Sequence, residues 1–516
     1  MSYDDTRDAE QLRVIDPSID DFIDRYNNSN GPIGGAPRQT VFFFPGGMGS
    51  TLKRAKKPYV DAGPPGQMFD YRPVWLTFED FLGEVLDIAI TKVGAEYRDK
   101  DNRIIVADGT VDILGWTFYD GFTEWCESSG LDYFVVGWDF RRRLEDSGEF
   151  FITQFLPYFQ ERVRDGCNNA DPLANFSLIG HSAGGMVVNW ILRESDDYPI
   201  LSTLQKAITV ATPFYGYAGQ LHRWFEGDSY FNWDPFVTKD DLVRVICSLP
   251  ACYSWLFMEE QMFIDNQIAF ANDAYPLTVY PSKDKTTASV VADPYHPLMQ
   301  GGLGRYPLGV GFDSVELVHG GALVRYLASS LDTGLAAKFF NIRGDDGKND
   351  TVGSTSWNWV PPTDPSPIAD VLKVAGDDTQ PAWSARHLDL LELDGHVITV
   401  TGSTVSHMMT MFSPETLAEI GDLLGVVPVM AKVFMRSGES PRDEPSIATP
   451  EEAAEFVVSL QAQFHERPRS RGDRKRLRKY LAQFSNERLR RVMRRAMVSL
   501  VQHQGPVLPG RPRYGE

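Results

Sequence analysis

Short apolar runs recur along the chain, each stopped by glycine, proline or a polar cluster. The first is Val41-Phe42-Phe43-Phe44, ended by Pro45-Gly46-Gly47. Runs at 133–136, 176–179, 207–210, 338–342 and 397–400 repeat the pattern. Such runs, bounded by turn residues, predict strands buried on both faces. Between several of them lie stretches with helical spacing, for example 151–164 and 186–193. Apolar strands alternating with helices predict an α/β fold whose mostly parallel sheet is covered by helices on both faces. Residues 1–39 read as a polar, irregular N-terminal extension that ends in the loop-like Asn30-Gly31-Pro32-Ile33-Gly34-Gly35.

Two stretches depart from the alternation. Residues 214–264 hold 13 aromatics in 51 positions, twice the 12% of the whole chain, with Trp224, Phe225, Trp233, Trp255 and Phe257 among them. This density predicts either a second small core or a cap over an apolar site, within an insertion at about 214–335. Trp224, Trp233 and Trp255 are the candidate substrate contacts. Past residue 435 a linker (436–448) leads into Thr449-Pro450-Glu451-Glu452, an N-cap followed by proline and first-turn acids. Leu477, Leu481, Phe484, Leu489, Val492, Met493 and Leu500 then recur among arginines, which predicts a basic helical C-terminal appendix at 449–516.

Charge sharpens that division. The net −20 conceals 15 Lys and Arg against 4 Asp and Glu over 466–516, so the tail is +11 and the remainder −31. An acidic body repels nucleic acid, and only the tail can seek an anionic partner. Docking onto the acidic body, contact with an anionic membrane surface and self-association are the readings open to it. The acidic first residues lead into no apolar signal core, and no apolar run reaches the roughly 18 residues of a membrane span. Cys126, Cys167, Cys247 and Cys252 are too few for a disulfide framework and lack zinc-site spacing. Buried free thiols in a reducing cytoplasm are expected, with no metal and no cofactor.

The candidate chemistry centres on Gly180-His181-Ser182-Ala183-Gly184, a G-x-S-x-G pattern between the apolar run 176–179 and the helical run 186–192. A serine on a tight strand-to-helix turn needs small neighbours, and the helix N-terminus behind it favours a forming oxyanion. The pattern alone is weak; its strand and helix context gives it weight. A serine hydroxyl also needs a base, and the base an orienting acid, in the chain order Ser, acid, His. Of the histidines downstream, His407 is best placed, a short turn after the run 397–400, whereas His396 sits at the other end of that run. Two acidic turns compete for the third role: Asp377, in Gly376-Asp377-Asp378-Thr379, and the cluster Asp345, Asp346 and Asp350. Oxyanion donors are expected from the Ala183 N–H and from Gly46-Gly47-Met48-Gly49, at the end of the first strand.

An ordered set of motifs over about 40–425 resembles the lecithin:cholesterol acyltransferase family, an α/β-hydrolase group that includes phospholipid:diacylglycerol acyltransferases and lysosomal phospholipase. The set comprises Phe44-Pro45-Gly46-Gly47-Met48-Gly49-Ser50, Pro73-Val74-Trp75-Leu76, Gly137-Trp138-Asp139-Phe140-Arg141 and Ile179-Gly180-His181-Ser182-Ala183-Gly184-Gly185. It continues with Ala211-Thr212-Pro213-Phe214-Tyr215-Gly216, Ser248-Leu249-Pro250-Ala251-Cys252-Tyr253, Gly376-Asp377-Asp378-Thr379 and Ser406-His407-Met408. The resemblance implies Ser182, Asp377 and His407 as a triad, Gly47 or Met48 with Ala183 as oxyanion donors, and a cap from 214–335. Phe140 departs from the family's aromatic in the Asp-Trp-Arg motif, and 51–110 has no cysteine pair to close a membrane-binding lid. The expectation is an acyl-enzyme mechanism on an apolar or lipid-like ester, with hydrolysis favoured over acyl transfer because transfer demands that water be excluded. A non-lipid ester substrate, or an inactive scaffold used for binding, is the alternative.

Overall fold

The structure, a computed structural model, describes residues 3–31, 38–59, 69–75, 88–93, 96–99, 101–111, 119–167, 171–226, 239–265, 277–280, 289–290, 293–295, 313–348, 351–358, 368–390, 393–402 and 405–426. The linker at 436–448, the appendix at 449–516, Trp233 and Asp350 lie outside these.

The six apolar runs form one sheet: β1 (Thr40–Phe44), β2 (Asp132–Val135), β3 (Phe176–His181), β4 (Leu204–Val210), β5 (Phe339–Asp345) and β6 (Val397–Thr401). Their order is β6-β5-β4-β3-β1-β2, and every pairing is parallel. Parallel neighbours need a crossover between them, so helices must cover the faces and the strands are buried on both sides. Alternate side chains feed two cores. Phe42, Phe44, Leu178, Ala207 and Phe339 point to one, and Val41, Phe43, Ile179, Ile208 and Ile342 to the other.

Helices α1 (Tyr3–Asn28), α2 (Asp120–Ser128), α3 (residues 144–166), α4 (Ala183–Arg193), α5 (Ser314–Ala328) and α6 (Pro414–Leu424) surround the sheet. α1, α3 and α4 contribute to the first core, and α2 and α6 to the second. α3 contains a π-helical turn at Phe151–Phe155. The phenyl rings of Phe151, Phe155 and Phe159 all lie within 6.0 Å of the Phe42 ring, centroid to centroid. This sheet order with its covering helices is an α/β-hydrolase fold.

The N-terminal region differs from the irregular extension predicted. α1 is a continuous helix that buries Ile15, Ile19, Phe22 and Tyr26, although Pro17 lies within it. The Phe22 ring is 5.0 Å from Phe159 of α3. These apolar positions form a two-per-heptad stripe, narrow enough to be hidden among the surrounding acids yet sufficient to seat one helix on a hydrophobic surface.

The insertion between β4 and β5 contributes helices Gly219–Glu226, Lys239–Ser248 and Glu260–Asp265, a 3-10 turn at Pro250–Trp255, and α5. Its aromatics are continuous with the first core. Trp224 packs on Tyr253 at 5.2 Å, and Phe257 meets Trp383 edge-on at 4.8 Å. All four cysteines are buried thiols. No helix among the described residues is long and apolar enough to cross a membrane.

Candidate active site

β3 ends in the elbow. Ser182 has φ 54° and ψ −127°, a backbone conformation costly for any residue but glycine. It is held there by its own N–H, which donates to the Val210 carbonyl at 2.8 Å, and by Gly185 N–H, which donates to the Ser182 carbonyl at 2.9 Å. A side chain on Gly184 would run into the Phe44 and Pro45 carbonyls, and one on Gly185 into Thr212. The glycines of the motif therefore let α4 start directly against β1. As the first residue of α4, Ala183 has an N–H with no intrahelical acceptor, at the helix end where the dipole is positive.

His407 follows β6 and opens the one-turn helix His407–Thr410, whose N-cap Ser406 accepts from Met409 N–H. Its Nε2 lies 2.8 Å from Ser182 Oγ and its Nδ1 2.9 Å from Asp377 Oδ2. An ionised carboxylate can only accept, so Nδ1 carries the proton and Nε2 presents its lone pair to the serine hydroxyl. Asp377 is fully buried, and its other oxygen accepts from Gln380 N–H at 2.6 Å and Thr379 N–H at 3.2 Å.

The two competing acids are separated by how the chain returns after β5. Asp345 and Asp346 lie at the end of that strand. Asp345 accepts from Gly347 N–H at 2.9 Å, and Asp346 accepts from Lys348 N–H at 2.8 Å and faces Lys348 Nζ at 3.2 Å. Strands Thr351–Asn358 and Ile368–Val374 then pair as an antiparallel ribbon in a second sheet. The ribbon closes where it began, with Asp346 N–H donating to the Gly376 carbonyl at 2.8 Å. Asp377 is thereby delivered to the end of the main sheet. Three other histidines, His396, His319 and His387, lie elsewhere. His396 Nδ1 bonds the Phe339 carbonyl at 2.8 Å, His319 pairs with Glu145, and His387 is buried 3.3 Å from Arg193 Nη2.

The loop after β1 is a turn closed by Gly49 N–H donating to the Gly46 carbonyl at 2.9 Å, with Met48 at φ 65°. Its polar groups are tied down from three directions. Trp138 Nε1–H donates to the Pro45 carbonyl at 2.7 Å, and Trp75 Nε1–H to the Met48 carbonyl at 2.8 Å. Gly46 N–H donates to Tyr119 Oη at 2.8 Å. With these groups engaged, the amides of Gly47 and Met48 remain as the donor candidates of this loop. Sequence reading noted Trp75 and Trp138 as motif residues without a role and missed Tyr119 altogether, because each acts from a segment distant in the chain. The neighbouring Asp139 is held by Arg141 through bonds of 2.8 and 2.6 Å. Burial alone would raise its carboxyl, but Arg141, Arg7 and Arg142 hold it below the ordinary range.

Of the three tryptophans singled out, Trp255 reaches this loop. A Cβ on Gly47 would lie 2.7 Å from Trp255 Cη2 and 3.5 Å from Ala183 Cβ, so the indole edge sits beside both candidate donors. Trp255 Nε1 is buried with no hydrogen-bond partner among the described residues. Trp224 is interior, on Tyr253. No group of three or more His, Cys, Asp or Glu able to hold a metal ion occurs among the described residues.

No protein-family model and no curated protein matches the chain. Among solved structures, it is similar to a chain of the Tle4-Tli4 complex, at 10% identity and a TM-score of 0.41, over 77% of this chain and 99% of that one. It is also similar to an acetylester hydrolase from Corynebacterium glutamicum, at 11% identity and a TM-score of 0.24, over 76% of this chain and 86% of that one.

Proposed function

We propose that the protein is a serine-dependent ester hydrolase or O-acyltransferase, of the lecithin:cholesterol acyltransferase type, acting through an acyl-enzyme on apolar or lipid-like esters. One observation carries this reading: the unbroken line from Asp377 Oδ2 through His407 to Ser182 Oγ, with contacts of 2.9 and 2.8 Å. His407 Nε2 takes the Ser182 proton as Oγ bonds to the ester carbonyl carbon, and the carbonyl π pair moves onto oxygen. Ala183 N–H and an amide of Gly47 or Met48 receive that oxyanion. The tetrahedral adduct collapses as the ester C–O bond breaks, and His407 returns its proton to the leaving alkoxide. Water, or an acceptor alcohol, then repeats the sequence and frees Ser182.

Asp377 keeps Nδ1 protonated and stabilises the imidazolium, remaining ionised throughout. Hydrolysis is the favoured outcome, since water needs no site of its own. The apolar substrate is supported by Trp255, whose ring edge lies on the donor loop, and by the aromatic insertion from which it comes.

Ser182→Ala tests the reading. Hydrolysis of p-nitrophenyl esters is expected to fall at least about 10³-fold, and labelling by a fluorophosphonate probe to disappear. Parent-level turnover by that variant would sink the assignment. Parallel assays on phospholipid vesicles and soluble short-chain esters separate a lipid substrate from a soluble one.

A further inference from the structure

The residue between glycine and serine in the elbow has no part in the mechanism above, yet His181 is fully buried and bonded at both ring nitrogens. Nδ1 lies 2.9 Å from Tyr119 Oη, and Nε2 lies 3.0 Å from the backbone carbonyl of His407. Tyr119, also buried, takes the N–H of Gly46 at 2.8 Å.

The proton positions follow from the partners. A carbonyl oxygen only accepts, so His181 Nε2 must carry hydrogen. Burial, then the neighbouring His407, lower the His181 pKa to about 3, so the ring is neutral and Nδ1 is an acceptor. Tyr119, its phenol pushed up by burial, is the donor to Nδ1, and its oxygen lone pair receives Gly46 N–H. Every donor has one acceptor and no other assignment matches them all. The chain reads Gly46 N–H to Tyr119 O–H to His181 Nδ1, and His181 Nε2–H to the His407 carbonyl.

We propose that Tyr119 and His181 are positioning residues that lock the oxyanion loop to the backbone of the catalytic histidine, so that base and oxyanion donors hold one geometry. This rests on the serine-hydrolase reading of Ser182. The crowding at Gly46 supports it: a Cβ there would lie 3.1 Å from His181 Nδ1, 3.1 Å from Ser182 Cβ and 3.2 Å from Tyr119 Oη. Elbow, loop and relay thus meet at one point, and Gly49 would meet Tyr119 Oη at 3.1 Å. The His407 carbonyl belongs to the residue whose ring faces Ser182, so holding it restrains the ring. Gly46 adjoins Gly47, so holding its N–H restrains the next peptide, whose carbonyl and amide frame the donor turn.

A lock of this kind acts on the transition state more than on substrate binding. In full-length protein, Tyr119→Phe removes one oxygen. It is expected to lower kcat about 10- to 100-fold with KM within about twofold, and to weaken a tetrahedral-adduct-forming trifluoromethyl ketone by the same factor. His181→Gln, whose amide N–H can still reach the His407 carbonyl, should lose less than His181→Leu. The double variant Tyr119→Phe/His181→Leu should lose clearly less than the two single losses combined, because both cut one chain. A purely structural role would instead lower thermal stability while leaving kcat per active site, titrated with fluorophosphonate, unchanged. That result, or additive losses in the double variant, overturns the proposal. If Ser182→Ala retains activity, the underlying serine-hydrolase reading has failed; if it is inactive while Tyr119→Phe matches the parent, the lock alone has failed.

Discussion

Asp377 and Asp345 are both aspartates in polar turns after apolar runs, yet their surroundings give them different chemistry. Asp377 is fully buried and spends one oxygen on His407 and the other on backbone amides, so it is fixed and able to orient the imidazole. Asp345 spends its bond on a turn amide two residues away. Asp377→Asn is expected to lower kcat by about 10³- to 10⁴-fold on soluble esters, with Asp345→Asn within about twofold of the parent. Equal losses would mean that the carboxylate nearest His407 is not the orienting one. Ser182 and His407 were readable because their signals are local, an elbow between strand and helix and a turn after a strand. The acid was named as Asp377 by the resemblance while local pattern left the 345–350 cluster in competition, because its place depends on a ribbon whose return point no local pattern reveals. Tyr119 and the role of His181 escaped notice for a related reason: a buried hydrogen-bond chain joining four separated segments, at Gly46, Tyr119, His181 and His407, leaves no periodicity.

At the level of elements, all six strands of the main sheet lie where their apolar runs predict, with ends shifted by a few residues. Strands buried on both faces are the easiest to read, since nothing polar interrupts them. α1 is the opposite case. Its stripe of Ile15, Ile19, Phe22 and Tyr26 is helical in spacing, but the acids around it and Pro17 dilute the signal. The helix is nonetheless part of the core, with Phe22 packed between Phe159 and Phe134. Phe22→Ala should therefore destabilise the protein by about 3–5 kcal/mol, the range for an aromatic removed from a packed interior. Urea denaturation measures it, and a loss below about 1 kcal/mol would show that α1 is merely laid against the surface.

For the molecule as a whole, buried histidines set a pH dependence. His181 and His387 both titrate near 3 instead of 6.5; burial is the larger cause for each, followed by His407 for the first and Arg193 for the second. The unfolded chain takes up protons below about pH 6.5 that the folded chain refuses. Stability is thus full above that pH and is lost as the pH falls toward 3, by up to about 1.4 kcal/mol per pH unit for each histidine. Between pH 7.5 and 5 the parent should lose about 2 kcal/mol more than His387→Gln, measured by urea denaturation at both pH values. Equal losses would mean that His387 titrates normally.

The ribbon that carries the chain from β5 to Asp377 has a consequence for design. Its two strands leave and re-enter where Asp346 N–H bonds the Gly376 carbonyl, and the carboxylate sits just past that clasp. Beyond the clasp, Thr351 accepts Asp378 N–H at 2.7 Å, and its strand pairs with Leu277–Tyr280 of the insertion, so the ribbon ties the position of Asp377 to that insertion. The insertion and the acid are therefore not independent parts: redesigning the strands of one shifts the footing of the other.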